Sequence, residues 1–442
     1  MESKIWLLIT GYNLIFFKDF LLAPWKFATG ELLSTFFPHW IWIGRKLRKR
    51  ETWLKDRIYY QYPGAIPFLS SFYPPHLLTA FLSTFLSLDN SFRLKLLELQ
   101  AHYLLSSILS YFLFLQWTSP ELALFGAITL TYAAYMIKVN NPCCIYSMAW
   151  MPGILLPGPL SGISLGMALL GGYWPTLILF APFAIIAHIF WYGTFWPFVG
   201  FLIAIPQIIA FLWYLPRSVR SRGSTGNPGG KVPFWRFLDL IIPNQVRSTV
   251  DGVFWPESAL FIGWIPLLFI PFSHSMAWFT LALAGFGMLG FWVVPFSRIP
   301  ARWSHLFSFS LVWLAVDGLT RSHITVTALW GLILLQAASL LVNNKTYPMW
   351  PFTEWWKRPS QWWDVKLSLK TSIGRVPNLR FPYFTGYVDE TRTLGYTGGF
   401  ALQALCDFHG VWNERVKTSE NKEFLSGSFK GDILEELERR YI

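Results

Sequence analysis

Charge is scarce in this chain. Asp, Glu, Lys and Arg make up 14% of its 442 residues, where a soluble domain carries about a quarter. A protein this poor in charge cannot cover itself with polar surface, so an ordinary soluble fold is excluded for most of its length and an integral membrane protein is expected. Cysteine is scarcer still. Cys143, Cys144 and Cys406 offer neither a disulfide framework nor a metal-binding spacing. The first two are adjacent, and vicinal bridging is strained, so free thiols are expected. No basic segment and no small-residue cleavage site accompany the first apolar run, which therefore reads as a retained span and not as a signal peptide. Internal repeats and low-complexity tracts are also absent, apart from one linker-like stretch, Arg220 to Lys231.

What the chain has in abundance is apolar and aromatic side chains: 53% hydrophobic residues, with Trp 25 and Phe 40. Rings of this kind collect at bilayer interfaces. Apolar runs of membrane grade are Ile5–Phe17, Leu96–Trp117, Leu122–Ile137, Ile145–Leu156, Ile163–Gly171, Thr176–Phe190, Phe195–Tyr214, Ser258–Phe272, Met276–Phe296, His305–Leu319 and Ile324–Val342. They predict an all-α polytopic membrane protein of about eleven transmembrane helices. Tyr73–Leu88 is apolar but short, begins at Pro74-Pro75, and is expected to lie in the interface. The bundle is assigned to residues 1–342, with long loops at 18–95 and 215–257; residues 343–442 read as a small C-terminal α+β soluble domain.

Alternating about eleven crossings puts both long loops and the C-terminal domain on one face. Every Lys and Arg except Lys4 and Arg321 falls there. The positive-inside rule calls that face cytoplasmic, although long loops translocate largely regardless of charge.

That same face collects the residues able to do chemistry. Asp19 follows the first apolar run directly, in "FFKDFLLAPWKFATGELLSTFFPHW". A carboxylate at headgroup depth can serve as general base toward an acceptor hydroxyl, and Glu31 is a second acid. Arg217, Arg220 and Arg222 follow one span, and Arg298 and Arg302 follow another; together they could hold a phosphate, while snorkelling to phospholipid is the plain reading of each one singly. Trp25, His39 and Trp40 line the same loop and are candidates for a sugar or acceptor path. "RKLRKRETWLKDR", Arg45 to Arg57, is the densest basic run and favours an anionic lipid or polymer; a solvated helix at the headgroups is its alternative. A divalent metal is compatible with such a site, yet no ligand motif occurs and no cofactor is assigned.

Several segments together resemble the YfhO family of bacterial membrane proteins, which belong with the GT-C type of glycosyltransferases. "DFLLAPWKFATGELLSTFFPHW" is similar to that family's first-loop pattern of Asp, Pro-Trp, Glu and Pro-x-Trp. "GAIPFLSSFYPPHLL", "MAWMPGILL", "YLPRSVRSR", "FIGWIPLLF" and "PFSRIPARWSHLFSFSLVWLAVDGL" resemble its later elements in order. "LLGGYWP" departs from it, with Tyr173-Trp174 where the family has a Gly-His-Pro turn, and Arg45–Arg57 has no counterpart.

The resemblance implies a GT-C-like bundle and transfer of a sugar from a polyprenyl-phosphate donor to a cell-envelope polymer or glycan. Asp19 would be the essential acid after span one. The partners implied are a lipid-linked sugar donor, membrane lipids and an envelope acceptor, with no nucleic acid. The resemblance also implies extracytoplasmic long loops, the reverse of the charge reading. The alternative function is a non-catalytic membrane scaffold or lipid-handling subunit built on the same bundle.

Overall fold

The computed structural model of the protein describes residues 2–27, 32, 36–51, 70–138, 142–214, 232–243, 259–291 and 300–344. Nearly all of the predicted C-terminal domain, 345–442, lies outside the described residues, as does most of the loop 215–257. Among the described residues no strand occurs and every regular element is helical. In chain order the helices are α1 (Glu2–Phe16), α2 (Lys18–Leu22), α3 (Phe37–Arg48), α4 (Pro74–Ser83), α5 (Leu88–Leu115), α6 (Pro120–Thr131), α7 (Ala134–Lys138), α8 (Pro142–Ile154), α9 (Pro159–Leu170), α10 (Trp174–Tyr192), α11 (Trp196–Ile203), α12 (Ile205–Tyr214), α13 (Trp264–Phe269), α14 (Ala277–Met288), α15 (Ser304–Arg321) and α16 (Val326–Asn343).

Two of these, α10 and α16, are long and apolar enough to cross a membrane. At 1.5 Å per residue they measure about 28 Å, close to the hydrocarbon thickness of about 30 Å. Both leave large apolar side chains uncovered, among them Ile186, Phe190, Leu334 and Val342. Apolar surface of that kind on helices of that length marks the protein as membrane-associated. By contrast α4 has 10 residues, or about 15 Å, half of what a crossing needs.

The chain falls into two compact units: Met1–Leu22 with Leu99–Ile205 and Thr225–Met349, and Ala23–Glu98 with Pro206–Ser224 and Trp350–Ile442. Helix α5 belongs to both.

In the first unit, α9 and α11 meet on glycine. Gly162 and Gly166 lie four apart on α9, and Gly200 faces them from α11. A Cβ on Gly200 would sit 2.7 Å from both the Gly162 oxygen and the Gly166 nitrogen, which are backbone and cannot rotate away. This is the small-xxx-small contact that lets helices approach closely when lipid, and not water, surrounds them. Gly200→Ala is expected to cost about 1–3 kcal/mol by overpacking. Gly331→Ala on α16, where nothing lies within 4 Å of the added carbon, should be neutral or stabilising through helix propensity. Thermal unfolding of the two variants in detergent compares them; equal melting temperatures would show that the α9–α11 contact is not tight.

Three apolar runs that look continuous are interrupted. The run Leu122–Ile137 breaks between α6 and α7, and Phe195–Tyr214 breaks at Ala204, just before Pro206, which has no N–H to donate. In the run Ser258–Phe272 the segment Ala259–Ile262 is non-helical although at most 1% exposed. Irregular backbone this buried must find its hydrogen bonds elsewhere. The Leu260 N–H donates to Asp239 Oδ2 at 2.9 Å. The Phe261 carbonyl accepts from the Ala134 N–H at 2.8 Å and from Asn344 Nδ2 at 3.3 Å. The Ile262 carbonyl accepts from Gln336 Nε2 at 2.7 Å, and the same amide nitrogen reaches Thr129 Oγ1 at 3.2 Å. Gln336, a polar residue inside apolar α16, is therefore the clamp that holds an extended segment against α6 and α16.

In the second unit, α3 and α4 run side by side in the same direction. Trp40 Nε1 donates to Thr79 Oγ1 at 3.2 Å near their starts, and Arg48 Nη1 donates to the Thr84 carbonyl at 3.0 Å at their ends. Between these contacts Gly44 approaches the Ala80 carbonyl so closely that a side chain there would collide with it. The first part of α5 returns antiparallel: Ser91 Oγ donates to the Ser83 carbonyl at 3.1 Å, and Lys95 reaches His76. α3 ends in a Schellman pattern. The Glu51 N–H bonds the Lys46 carbonyl and the Arg50 N–H bonds the Leu47 carbonyl, with Arg50 at φ 56°. Lys46 Nζ also donates to the Glu51 carboxylate at 2.7 Å, and this hydrogen bond holds the Glu51 carboxyl below the ordinary carboxylate range.

Candidate functional site

Asp19 stands in the first turn of α2, two residues past the break in the helix at Phe17. Two phenylalanines fix it there. Phe17 and Phe20 are each 1% exposed, their ring centroids lie 5.0 Å apart, and Phe17 stacks on Tyr103 at 4.5 Å. The helix before it is tied down by Tyr12, whose hydroxyl donates to the Ala337 carbonyl at 2.8 Å, and by Asn13, whose Nδ2 donates to Tyr132 Oη at 3.0 Å. Asp19, between these two in sequence, is half-buried and makes no ion pair or hydrogen bond among the described residues. A carboxylate that is positioned but not neutralised is the starting condition for a general base.

Arg302 lies in the same unit, in a 3₁₀ turn, Pro300–Trp303, that leads into α15. It is buried, with its guanidinium 5.6 Å from the Tyr173 ring centre. One turn on, buried His305 packs against the rings of Tyr135 at 5.3 Å and Phe180 at 5.7 Å. Tyr135 Oη and Thr176 Oγ1 share a hydrogen bond of 3.2 Å. Arginine combines such contacts with aromatic faces and a planar fork of donors that matches anionic oxygens. No ion pair joins Arg302 to Asp19.

The second unit contains His39 and Trp40, both on α3 and both fully buried. They stand at the edge of a charged cluster that the sequence reading did not anticipate. Lys95 Nζ donates to Glu98 Oε2 at 3.2 Å and lies 3.0 Å from His76 Nδ1. Thr79 Oγ1 is 2.8 Å from the same Glu98 oxygen. The Trp40 ring covers the ammonium at 5.1 Å, and the His39 ring is stacked at 6.4 Å from that of His76. His39 Nε2 is 3.5 Å from Ser71 Oγ. A buried carboxylate and a buried ammonium each need hydrogen bonds beyond their mutual attraction; Thr79 bonds the carboxylate and His76 the ammonium, and the Trp40 face adds a cation–π contact. The arrangement places three titratable groups in contact and links α3, α4 and α5. One signal was available in sequence: two opposite charges at i, i+3 where an otherwise apolar helix begins.

Of the remaining candidates, Trp25 lies in the 3₁₀ turn Pro24–Phe27. Glu31, Arg217, Arg220, Arg222 and Arg298 lie outside the described residues. Among the described residues no group of three His, Cys, Asp or Glu side chains could hold a metal ion. Cys143 and Cys144 are free thiols, both buried.

Among the described residues these features define a helical, membrane-associated protein with a positioned carboxylate and buried basic groups. No family model, no curated protein and no solved structure matches the chain.

Proposed function

We propose that the protein is a multi-pass membrane transferase that moves a sugar from a polyprenyl-phosphate donor to an acceptor hydroxyl of the cell envelope. The reading is carried by Asp19: a half-buried carboxylate, flanked in sequence by buried Phe17 and Phe20 and without an ion-pair partner among the described residues, just past the end of the first apolar helix. Arg302 supports it as a buried cation beside an aromatic ring, and so does the resemblance of the first loop to the YfhO pattern. The crossings beyond α10 and α16 would be supplied by shorter apolar helices such as α6, α9 and α14. The long loops would face away from the cytoplasm.

In the proposed step the acceptor hydroxyl gives its proton to the Asp19 carboxylate as its oxygen bonds to the anomeric carbon. The bond from that carbon to the phosphate oxygen breaks, and polyprenyl phosphate leaves with the electron pair. Arg302, with Arg298 of the same unit, would hold the phosphate charge, and a leaving group so stabilised needs no separate acid.

The test is direct. The full chain, reconstituted in vesicles with a polyprenyl-phosphate sugar and envelope glycan, should release polyprenyl phosphate in proportion to glycan modified. Donor that binds but stays intact across sugars and acceptors would sink the transferase reading in favour of a non-catalytic scaffold or lipid-handling subunit.

A further inference from the structure

We infer that His305 is a donor-binding residue of the proposed transferase, its imidazole donating from Nε2 to a phosphate oxygen of the polyprenyl-phosphate sugar where α7, α10 and the start of α15 meet. The inference rests on the transferase reading and adds to it a second group, beside Arg302, that recognises the donor.

The observation behind it is an unmet hydrogen bond. His305 is 4% exposed, and its Nε2 has no hydrogen-bond partner among the described residues. Its ring neighbours are Tyr135 of α7 at 5.3 Å and Phe180 of α10 at 5.7 Å. The Tyr135 hydroxyl is engaged with Thr176 Oγ1. One turn further along α15, Ser308 Oγ is also buried and unpartnered among the described residues. A buried polar group left without a partner costs stability that an apolar side chain would not. Two of them on successive turns call for a polar ligand from outside the chain.

The surroundings favour an anion. Arg302 precedes His305 by three residues, and residues three apart are neighbours on a helical surface. The Arg302 guanidinium lies against the ring of Tyr173, the residue that opens α10. The positive end of that helix's dipole stands beside the same ring and suits a phosphate. The turn into α10 is fixed: Gly172 has φ 89°, and the Tyr173 N–H donates to Ser147 Oγ at 2.9 Å. Helix α7 links this group to Asp19. Tyr103, on which Phe17 stacks at 4.5 Å, donates to the Met136 carbonyl at 3.1 Å, and the residue before Met136 is Tyr135, the ring against His305. The proposed base and the proposed phosphate ligand thus share one support.

Binding of farnesyl phosphate to the full chain in a neutral detergent gives the test, read as a saturable rise in melting temperature, with farnesol and inorganic phosphate as controls. The native chain should bind farnesyl phosphate more tightly than either control. His305→Leu should weaken that binding about 10- to 100-fold, the loss of one hydrogen bond to a charged group. It should leave the melting temperature without ligand level or higher, because it removes a buried polar atom that has no partner. His305→Gln, which keeps an N–H donor, should bind more tightly than the Leu variant. Native affinity in His305→Leu would overturn the inference. Farnesyl phosphate bound no better than farnesol would do the same and leave Nε2 to water, and inorganic phosphate bound as tightly as farnesyl phosphate would overturn the lipid-linked ligand. If His305→Leu does not fold, nitrogen NMR of the isotope-labelled native chain decides: the His305 Nε2 resonance, assigned by its loss in His305→Gln, should move with farnesyl phosphate and not with farnesol. A resonance that stays put with both sinks the site. The binding assay needs no turnover, so the two readings separate. His305-dependent binding without sugar transfer would remove the transferase and keep the site, whereas transfer with His305-independent binding would do the reverse.

Discussion

Glu98→Ala is expected to destabilise the protein by about 3–5 kcal/mol, because it removes the carboxylate 3.2 Å from a buried ammonium. The side chains of Lys95 and Glu98 are 0% and 2% exposed, so water cannot replace the lost carboxylate. Thr79 would lose the acceptor at 2.8 Å, and Lys95 would lose the carboxylate oxygen at 3.2 Å while its contacts with His76 and the Trp40 face stay. The contribution of the pair itself is a separate quantity. Removing both charges with packing of similar volume, as in Lys95→Met/Glu98→Leu, is often neutral for a buried pair. The double variant should therefore regain most of the loss. Denaturant or thermal unfolding in detergent measures all three proteins. A Glu98→Ala variant within about 1 kcal/mol of the native chain would mean that water reaches the cluster and that it does not hold α3, α4 and α5 together. A double variant as unstable as the single would show that the cluster's other members depend on the charges.

Asp19→Asn is expected to behave in the opposite way, with stability kept and turnover lost. The substitution changes one atom type, and Asp19 has no ion pair or hydrogen bond among the described residues to lose. The fold around it rests on Phe17, Phe20, Tyr12 and Asn13, which the substitution leaves alone. General-base catalysis contributes about 10²–10⁴-fold, so the proposed transfer should slow by that factor while the melting temperature stays put. The two readouts separate a catalytic carboxylate from a structural one. Full turnover in the Asn variant would remove Asp19 from the mechanism. A large drop in melting temperature would show instead that the carboxylate serves the fold.

Some of this protein follows from its sequence alone. Scarce charge and long apolar runs dictate helices in contact with lipid, since a backbone without water must bond within its own segment. The helical starts are legible too: Pro74-Pro75 opens α4, and Ser119 ahead of Pro120 caps α6 by accepting from the Leu122 N–H at 3.4 Å. Asp19 was legible as a candidate because an acid just past an apolar run is conspicuous by chemistry, whatever surrounds it.

Other features depend on partners far away in the chain. Ala259–Ile262 has the composition of a helix, and it stays extended because Asp239, Ala134, Asn344 and Gln336 supply the hydrogen bonds that helix formation would have made. Gly162, Gly166 and Gly200 are ordinary small residues until α9 and α11 are brought together. Lys95 falls at the end of the loop assigned to 18–95 and Glu98 inside the run Leu96–Trp117, because a sequence window contains no record of the third helix. Only when α3, α4 and α5 pack do those charges lose their water, and the desolvation that follows is what makes a buried pair, and its neighbours Thr79 and Trp40, matter. The physical reason is general: solvent exposure of the backbone is set by local composition, whereas burial of a charge is set by whatever packs over it.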